Sequence, residues 1–150
     1  NGYTNPWGTQ VPFKGSAGTR FQIDIQKDDK INFYIDDLYR QGDGIFVDSF
    51  HYHDLPVYRY NLGPSMLATS DYNKKVYYSL KYDGMGNQTT VEQAPVFVSK
   101  PYFWEAEEAG KNTTIYGPDN KVLLPGPSGQ TYFYVEPYSG GAVQANEELQ

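Results

Sequence analysis

Leu55-Pro-Val-Tyr-Arg-Tyr60 decides the reading of this chain, together with two later segments built the same way. These are Pro95-Val-Phe-Val-Ser-Lys-Pro-Tyr-Phe103 and Thr131-Tyr-Phe-Tyr-Val-Glu-Pro-Tyr-Ser-Gly140. Each combines β-branched and aromatic residues with proline near an end, where a missing N–H does least harm to a ladder. Short strands bounded by breakers predict an all-β fold, mainly antiparallel and irregular barrel-like, with one or two short helices.

Working outward, Asn1 to Gly18 reads as an extended loop. Thr19-Arg-Phe-Gln-Ile-Asp-Ile25 alternates, which places Phe21, Ile23 and Ile25 on one face of a half-buried strand. After a turn at 27–30 come strand 31–35 and a helical turn capped by Asp36. Gly42-Asp-Gly44 leads into strand 45–50, and another strand covers 57–61. Residues 65–68 form a short turn, 75–82 have strand composition, and 83–86 make a tip; Thr90-Val91 stays ambiguous. A strand at 96–99 precedes the best helical segment, 104–109, ended by Gly110. A surface excursion (111–130) with a strand near 122–124 separates these from strands 131–135 and 142–149. No internal repeat or linker divides the chain, so residues 1–150 are expected to form one β-rich domain or an excerpt of one.

Composition narrows the chemistry. The chain has 150 residues, a net charge of −6 and fifteen tyrosines. The acidic balance repels a phosphate backbone, and no basic stripe with interleaved aromatics offsets it. Nucleic acid is therefore not an expected partner. With no cysteine, disulfides, thiolate catalysis and cysteine-ligated metals are excluded. Two sequons, at Asn87 and Asn112, lie in turn-rich stretches where a glycan has room. No apolar run reaches the ~20 residues that cross a bilayer. The chain reads as an excerpt of a longer polypeptide.

Candidate catalytic and metal groups resolve into structural readings. His51 and His53 flank Tyr52, so on a strand they share a face, with Asp48 or Asp54 as a further ligand. Nothing in the spacing fixes that third ligand. Asp28-Asp29 and Asp36-Asp37 lack the alternation of a calcium loop and read as turn and cap residues. Glu105, Glu107 and Glu108 are candidates for a glycosidase pair, but a short helix makes them a solvated face. Ser128 lacks a nucleophile elbow. No cofactor or catalytic residue is predicted. Tyrosine strands leave a carbohydrate-stacking platform open beside the plainer reading, rings packed across strands.

Set in order, the three segments resemble motifs of the class B scavenger receptor family, which includes the fatty-acid translocase and lysosomal integral membrane glycoproteins. Pro56-Val-Tyr-Arg-Tyr60, Pro95 to Phe103 and Tyr132 to Gly140 match its Pro-Val-Tyr-Arg-Phe, Pro-Val-Tyr-Ile-Ser-Leu-Pro-His-Phe and Glu-Pro-x-Thr-Gly strands. Phe33-Tyr-Ile-Asp-Asp-Leu-Tyr-Arg40 is similar to an aromatic-rich strand further upstream. Tyr39 stands at a usual cysteine, Lys100 at an apolar position, and Tyr102 at a histidine. The family's cysteine-rich segment is replaced by 75–92.

The resemblance implies an ectodomain threaded by an apolar tunnel that carries fatty acid, sterol or phospholipid, and possible protein-ligand recognition. It also implies anchoring through spans outside this segment, at the cell surface or a lysosomal or phagosomal membrane. Burial of an acyl chain would drive binding by ~0.8 kcal/mol per methylene. The family's lumen-facing position falls at Ala145, and period two adds Val143 and Leu149. Glu147 shares that face, where an unpartnered carboxylate is costly. A secreted β-sandwich carbohydrate-binding module and a small carboxylate hydrolase are the rival readings.

Overall fold

The structure, a computed structural model, describes residues 6–8, 14–79 and 81–150. Its strands are β1 (Ile31–Ile35), β2 (Arg40–Tyr52), β3 (Leu55–Leu62), β4 (Met85–Asn87), β5 (Phe97–Ser99), β6 (Ile115–Tyr116), β7 (Val122–Leu123), β8 (Tyr132–Val135) and β9 (Ala142–Asn146). Three short helices, α1 (Asp71–Tyr77), α2 (Thr89–Glu92) and α3 (Glu107–Gly110), lie between β3 and β6. The described residues form two compact units: 14–66 with 131–147, and 6–8 with 67–130 and 148–150.

The first unit is one antiparallel sheet in the order β1-β2-β3-β8-β9. Alternation decides its faces: Ile31, Phe33 and Ile35 are buried while Asn32 and Tyr34 between them are partly exposed. Register continues that apolar face through Tyr60 and Leu62 on β3 and Phe133 and Val135 on β8. Full burial of such a side chain contributes about 1.5–3 kcal/mol. Gly42 and Gly44, expected as a lead-in loop, lie inside β2 opposite Phe33 and Ile31. A Cβ at Gly44 would sit 2.5 Å from Ile31 Cγ1. These glycines therefore make room for the large side chains of the neighbouring strand.

The sheet is curled, and one ring contact reports it. Phe33 on β1 and Phe133 on β8 meet with centroids 4.5 Å apart, although two strands separate β1 from β8. In a flat sheet those strands would stand about 14 Å apart, at ~4.8 Å per step. Gly42 lets the Phe33 ring lie across β2, since a Cβ there would be 3.0 Å from its edge. A register shift at Phe46/Asp48 adds local twist to β2.

Three further expectations fail in this unit for physical reasons. Thr19–Ile25 is not a strand: Asp24 has φ +54° and Ile23 is 65% exposed. Its N–H groups pair with a turn instead, Phe21 donating to Gly140, Asp24 to Tyr138 and Ile25 to Pro137. His51 and His53 do not share a strand face, because β2 ends at Tyr52. His53 and Asp54 are the two positive-φ residues of the hairpin turn into β3. Asp36–Leu38 does make a single 3-10 turn, but Ile35 occupies its cap position without a side-chain bond.

The second unit has smaller sheets, β4 with β5 and β6 with β7. Residues 75–82 were expected to be extended, yet 71–77 are helical; Leu80 lies outside the described residues, as do 1–5 and 9–13 of the expected N-terminal loop. Ser70 caps α1 by accepting from the Asn73 N–H at 3.0 Å. Asn73, Val76 and Tyr77 are buried at helical spacing, with Tyr77 edge-on to Trp7 at 5.4 Å. That periodicity overrides β propensity. The helix expected over 104–109 begins only at Glu107, since Phe103 and Glu105 have positive φ.

Candidate functional site

The curl leaves a cavity of about 390 Å³ on the apolar side of the sheet, lined from β1, β8, β9 and the 17–19 segment. Buried Phe33, Ile35 and Phe133 form its floor, with Ala17 and Ala145 contributing small apolar surfaces. Thr19, Thr131 and Asn146 add polar atoms. Exposed Asp36, Asp37 and Glu147 complete the lining as a carboxylate rim. Partial burial, and then the Asp37 charge, push the Glu147 carboxyl above its ordinary range.

Ala145, assigned by resemblance to a lumen, lies on this cavity and pairs with Phe133 across the ladder. Val143 is left out of register by an irregularity between Tyr134 and Val135, which interrupts the period-two link to Ala145. Leu149 falls beyond β9 and belongs to the other unit. Sequence reading missed Phe33, Phe133 and the acidic turn as site residues. Pairing order was the missing information: no local pattern tells that β1 and β8 curl towards each other.

The opposite face carries Tyr52, Tyr132 and Tyr134, and their geometry separates the two aromatic readings. Tyr132 and Tyr134 stack at 4.9 Å and 28°. Arg59 covers Tyr132 at 5.1 Å, while Phe50 and Tyr52 meet Tyr134 edge-on at 5.0 and 5.5 Å. A sugar platform needs ring faces turned to solvent, and here neighbours occupy them. These rings stabilise cross-strand packing.

The remaining candidates serve local structure. Glu105 pairs with buried Lys100 at 2.6 Å, and Gln130 lies 3.4 Å from the same ammonium. Glu107 borders a second cavity of about 230 Å³ beside β6 and β7. Glu136 accepts from the Tyr138 and Ser139 N–H groups at 3.0 and 2.8 Å and from the Ser139 hydroxyl. Those bonds, the hydroxyl's first, hold its carboxyl below the ordinary range and explain the Glu-Pro-Tyr-Ser-Gly turn. Asn112 is exposed in a turn, whereas the Asn87 amide donates to Tyr78 and its carbonyl accepts from Thr89. Among the described residues no cluster of three or more His, Asp or Glu side chains is arranged to hold a metal.

The sheet unit is thus a curled antiparallel sheet with a cavity of mixed apolar and acidic lining on one side. A family model described as CD36 family matches residues 2–150. The chain belongs to that family, the class B scavenger receptors, whose members are membrane-associated receptors. Among the described residues, no helix is long and apolar enough to cross a membrane. No curated protein matches the chain.

Proposed function

We propose that this chain is part of a receptor ectodomain that binds lipid and passes it along an apolar conduit, without covalent catalysis. The observation that carries this reading is the cavity floored by Phe33, Ile35 and Phe133, with Ala145 on its wall. Enclosing an acyl or sterol body there removes apolar surface from water at about 25 cal/mol per Å². The cargo classes are fatty acid, sterol or phospholipid, and a protein ligand is a further partner. The 150 residues act as one portion of an ectodomain completed and anchored by other parts of the polypeptide. It faces the outside of the cell or a lysosomal or phagosomal lumen, and Asn112 and Asn87 carry N-glycans.

The test is lipid retention. The purified chain is incubated with mixed vesicles, recovered by gel filtration, and its bound lipid identified by mass spectrometry. Stoichiometric lipid on the wild type, reduced at least fivefold by Ala145→Trp, supports the reading. Lipid-free protein, or retention indifferent to Ala145→Trp, contradicts it.

A further inference from the structure

The ribbon formed by β6 and β7 is apolar on both faces. Ile115 pairs with Leu123 and Tyr116 with Val122, and each such pair shares a face. Ile115 and Leu123 are half-buried and border the smaller cavity of about 230 Å³ with Tyr102 and Phe103. On the other face Tyr116 is 62% exposed and Val122 49% exposed, while Leu124, two positions further on, is 74% exposed. Val122 and Leu124 also reach the edge of that cavity. An antiparallel ribbon with one solvated face ordinarily alternates apolar and polar residues. Three large apolar side chains turned outward together mark a contact surface.

Charge and area say what that surface meets. Asp119 and Lys121, in the turn of the ribbon, neutralise each other across 2.8 Å. Glu107, Glu108 and Lys111 are exposed on the flank and leave it weakly acidic, within a chain of net charge −6. An anionic surface is therefore repelled. Three part-exposed side chains also offer far less than the ~800 Å² that each partner covers in a stable protein interface, which argues against a second copy or a shaped protein partner. A zwitterionic bilayer satisfies both conditions. It carries no net charge and takes up apolar side chains one by one, with tyrosine suited to its head-group zone. Members of the family are membrane-associated, so a bilayer is part of their surroundings.

We infer that the outward face of β6 and β7 docks on a zwitterionic bilayer through Tyr116, Val122 and Leu124. The inference goes beyond the lipid-binding reading, because these residues and the cavity at Phe33 and Ala145 belong to different units. Asn112 precedes β6, at the end of the ribbon opposite its turn, so a glycan there leaves the turn end open.

The chain has no cysteine, so Tyr116→Cys gives the full chain a single thiol for an environment-sensitive fluorophore. Phosphatidylcholine vesicles should shift its emission to the blue and raise its intensity at least about threefold as the probe leaves water. The same probe at Tyr138→Cys, an exposed position in the sheet unit, should not respond. In the unlabelled chain, Val122→Ser combined with Leu124→Ser should lower co-flotation with the vesicles at least about fivefold. Both side chains are exposed, and circular dichroism checks that the variant keeps its fold. Flotation should persist in high salt and weaken when phosphatidylserine is added. An equal response at Tyr138→Cys, flotation indifferent to the serine pair, or flotation lost in high salt would each overturn the inference. So would a blue shift that grows with protein concentration without vesicles, which would make the face a self-association surface. Ala145→Trp separates the two readings: it should lose retained lipid yet float like the wild type. Flotation lost in that variant would move the docking to the cavity and overturn the inference. Flotation without retained lipid leaves the docking standing while the lipid reading falls, and retained lipid without flotation does the reverse.

Discussion

The two units of this chain reach a stable interior by different means. In the sheet unit the buried side chains are mostly apolar, among them Ile31, Phe33, Val57, Tyr60, Leu62, Phe133 and Val135, with Arg40 and Thr131 as buried polar members. In the other unit Asn73, Gln88, Ser99, Lys100 and Gln130 are buried beside Trp7, Val76 and Tyr77. There the backbone also turns sharply, with positive φ at Tyr78, Gln93, Tyr102, Phe103, Glu105 and Asn120. A polar interior depends on every partner being present, because an unmatched buried group costs more than a matched one gains. An apolar interior depends on volume. The first kind is therefore sensitive to chemistry, the second to shape.

The largest expected effect tests shape. Phe33→Ala removes a ring that is 1% exposed and touches Phe133, and should cost about 3–5 kcal/mol. Urea unfolding measures this, and hydrogen exchange should show the loss concentrated at the β1, β2 and β3 amides. A cost under ~1 kcal/mol would mean that the curl does not depend on this contact.

Chemistry is tested next, at Lys100. Its side chain is 3% exposed and that of Glu105 is 41% exposed. Glu105→Gln leaves the ammonium without its charged partner and should destabilise by about 3 kcal/mol, the low end for a broken buried pair. Lys100→Met removes the need for the pair and should change stability by less than about 1 kcal/mol. Equal losses in the two variants would show that the pair is not held by its desolvation.

Local chemistry gives a smaller signal. Ser70→Ala deletes the N-cap of α1 and should cost about 1 kcal/mol, read from unfolding midpoints. The sheet unit has a pH signature of its own. Burial, the largest cause, and then the Asp29 charge push the Tyr60 hydroxyl up to about 12. The unfolded hydroxyl ionises near its ordinary value of 10. The stability that Tyr60 contributes by staying neutral is complete below that value and is lost as pH rises towards about 12. Tyr60→Phe should flatten stability against pH across this window and leave the pH dependence below it unchanged.

Legibility followed the same division. Ile31 to Ile35 announced its strand because a half-buried ladder writes period two into the sequence, and Leu55 to Tyr60 and Thr131 to Val135 did likewise. The Thr19 to Ile25 alternation was as clean, yet Asp24 turns left-handed and the segment pairs with a loop. Periodicity records which side chains can be buried together, not whether a partner strand is available. At Lys75 to Tyr82 the tyrosines and valine favoured a strand, while Ser70 five residues earlier held the helix signal. The cavity was legible only at Ala145, through motif resemblance. Its floor comes from strands about 100 residues apart in sequence, and its rim from Asp36 and Asp37, which local pattern reads as a turn. The glycines Gly42 and Gly44 looked like a breaker because sequence alone does not reveal the large side chains that lie over them.

The central claim is that the curled sheet holds lipid against Phe33, Phe133 and Ala145. The most direct measurement is photo-cross-linking with a single-chain lipid carrying a diazirine near mid-chain, followed by peptide mapping. Adducts are expected within residues 33–37 and 145–147, abolished by Ala145→Trp. Adducts confined to the exposed Tyr116 to Leu124 hairpin, or labelling unchanged in that variant, would contradict it.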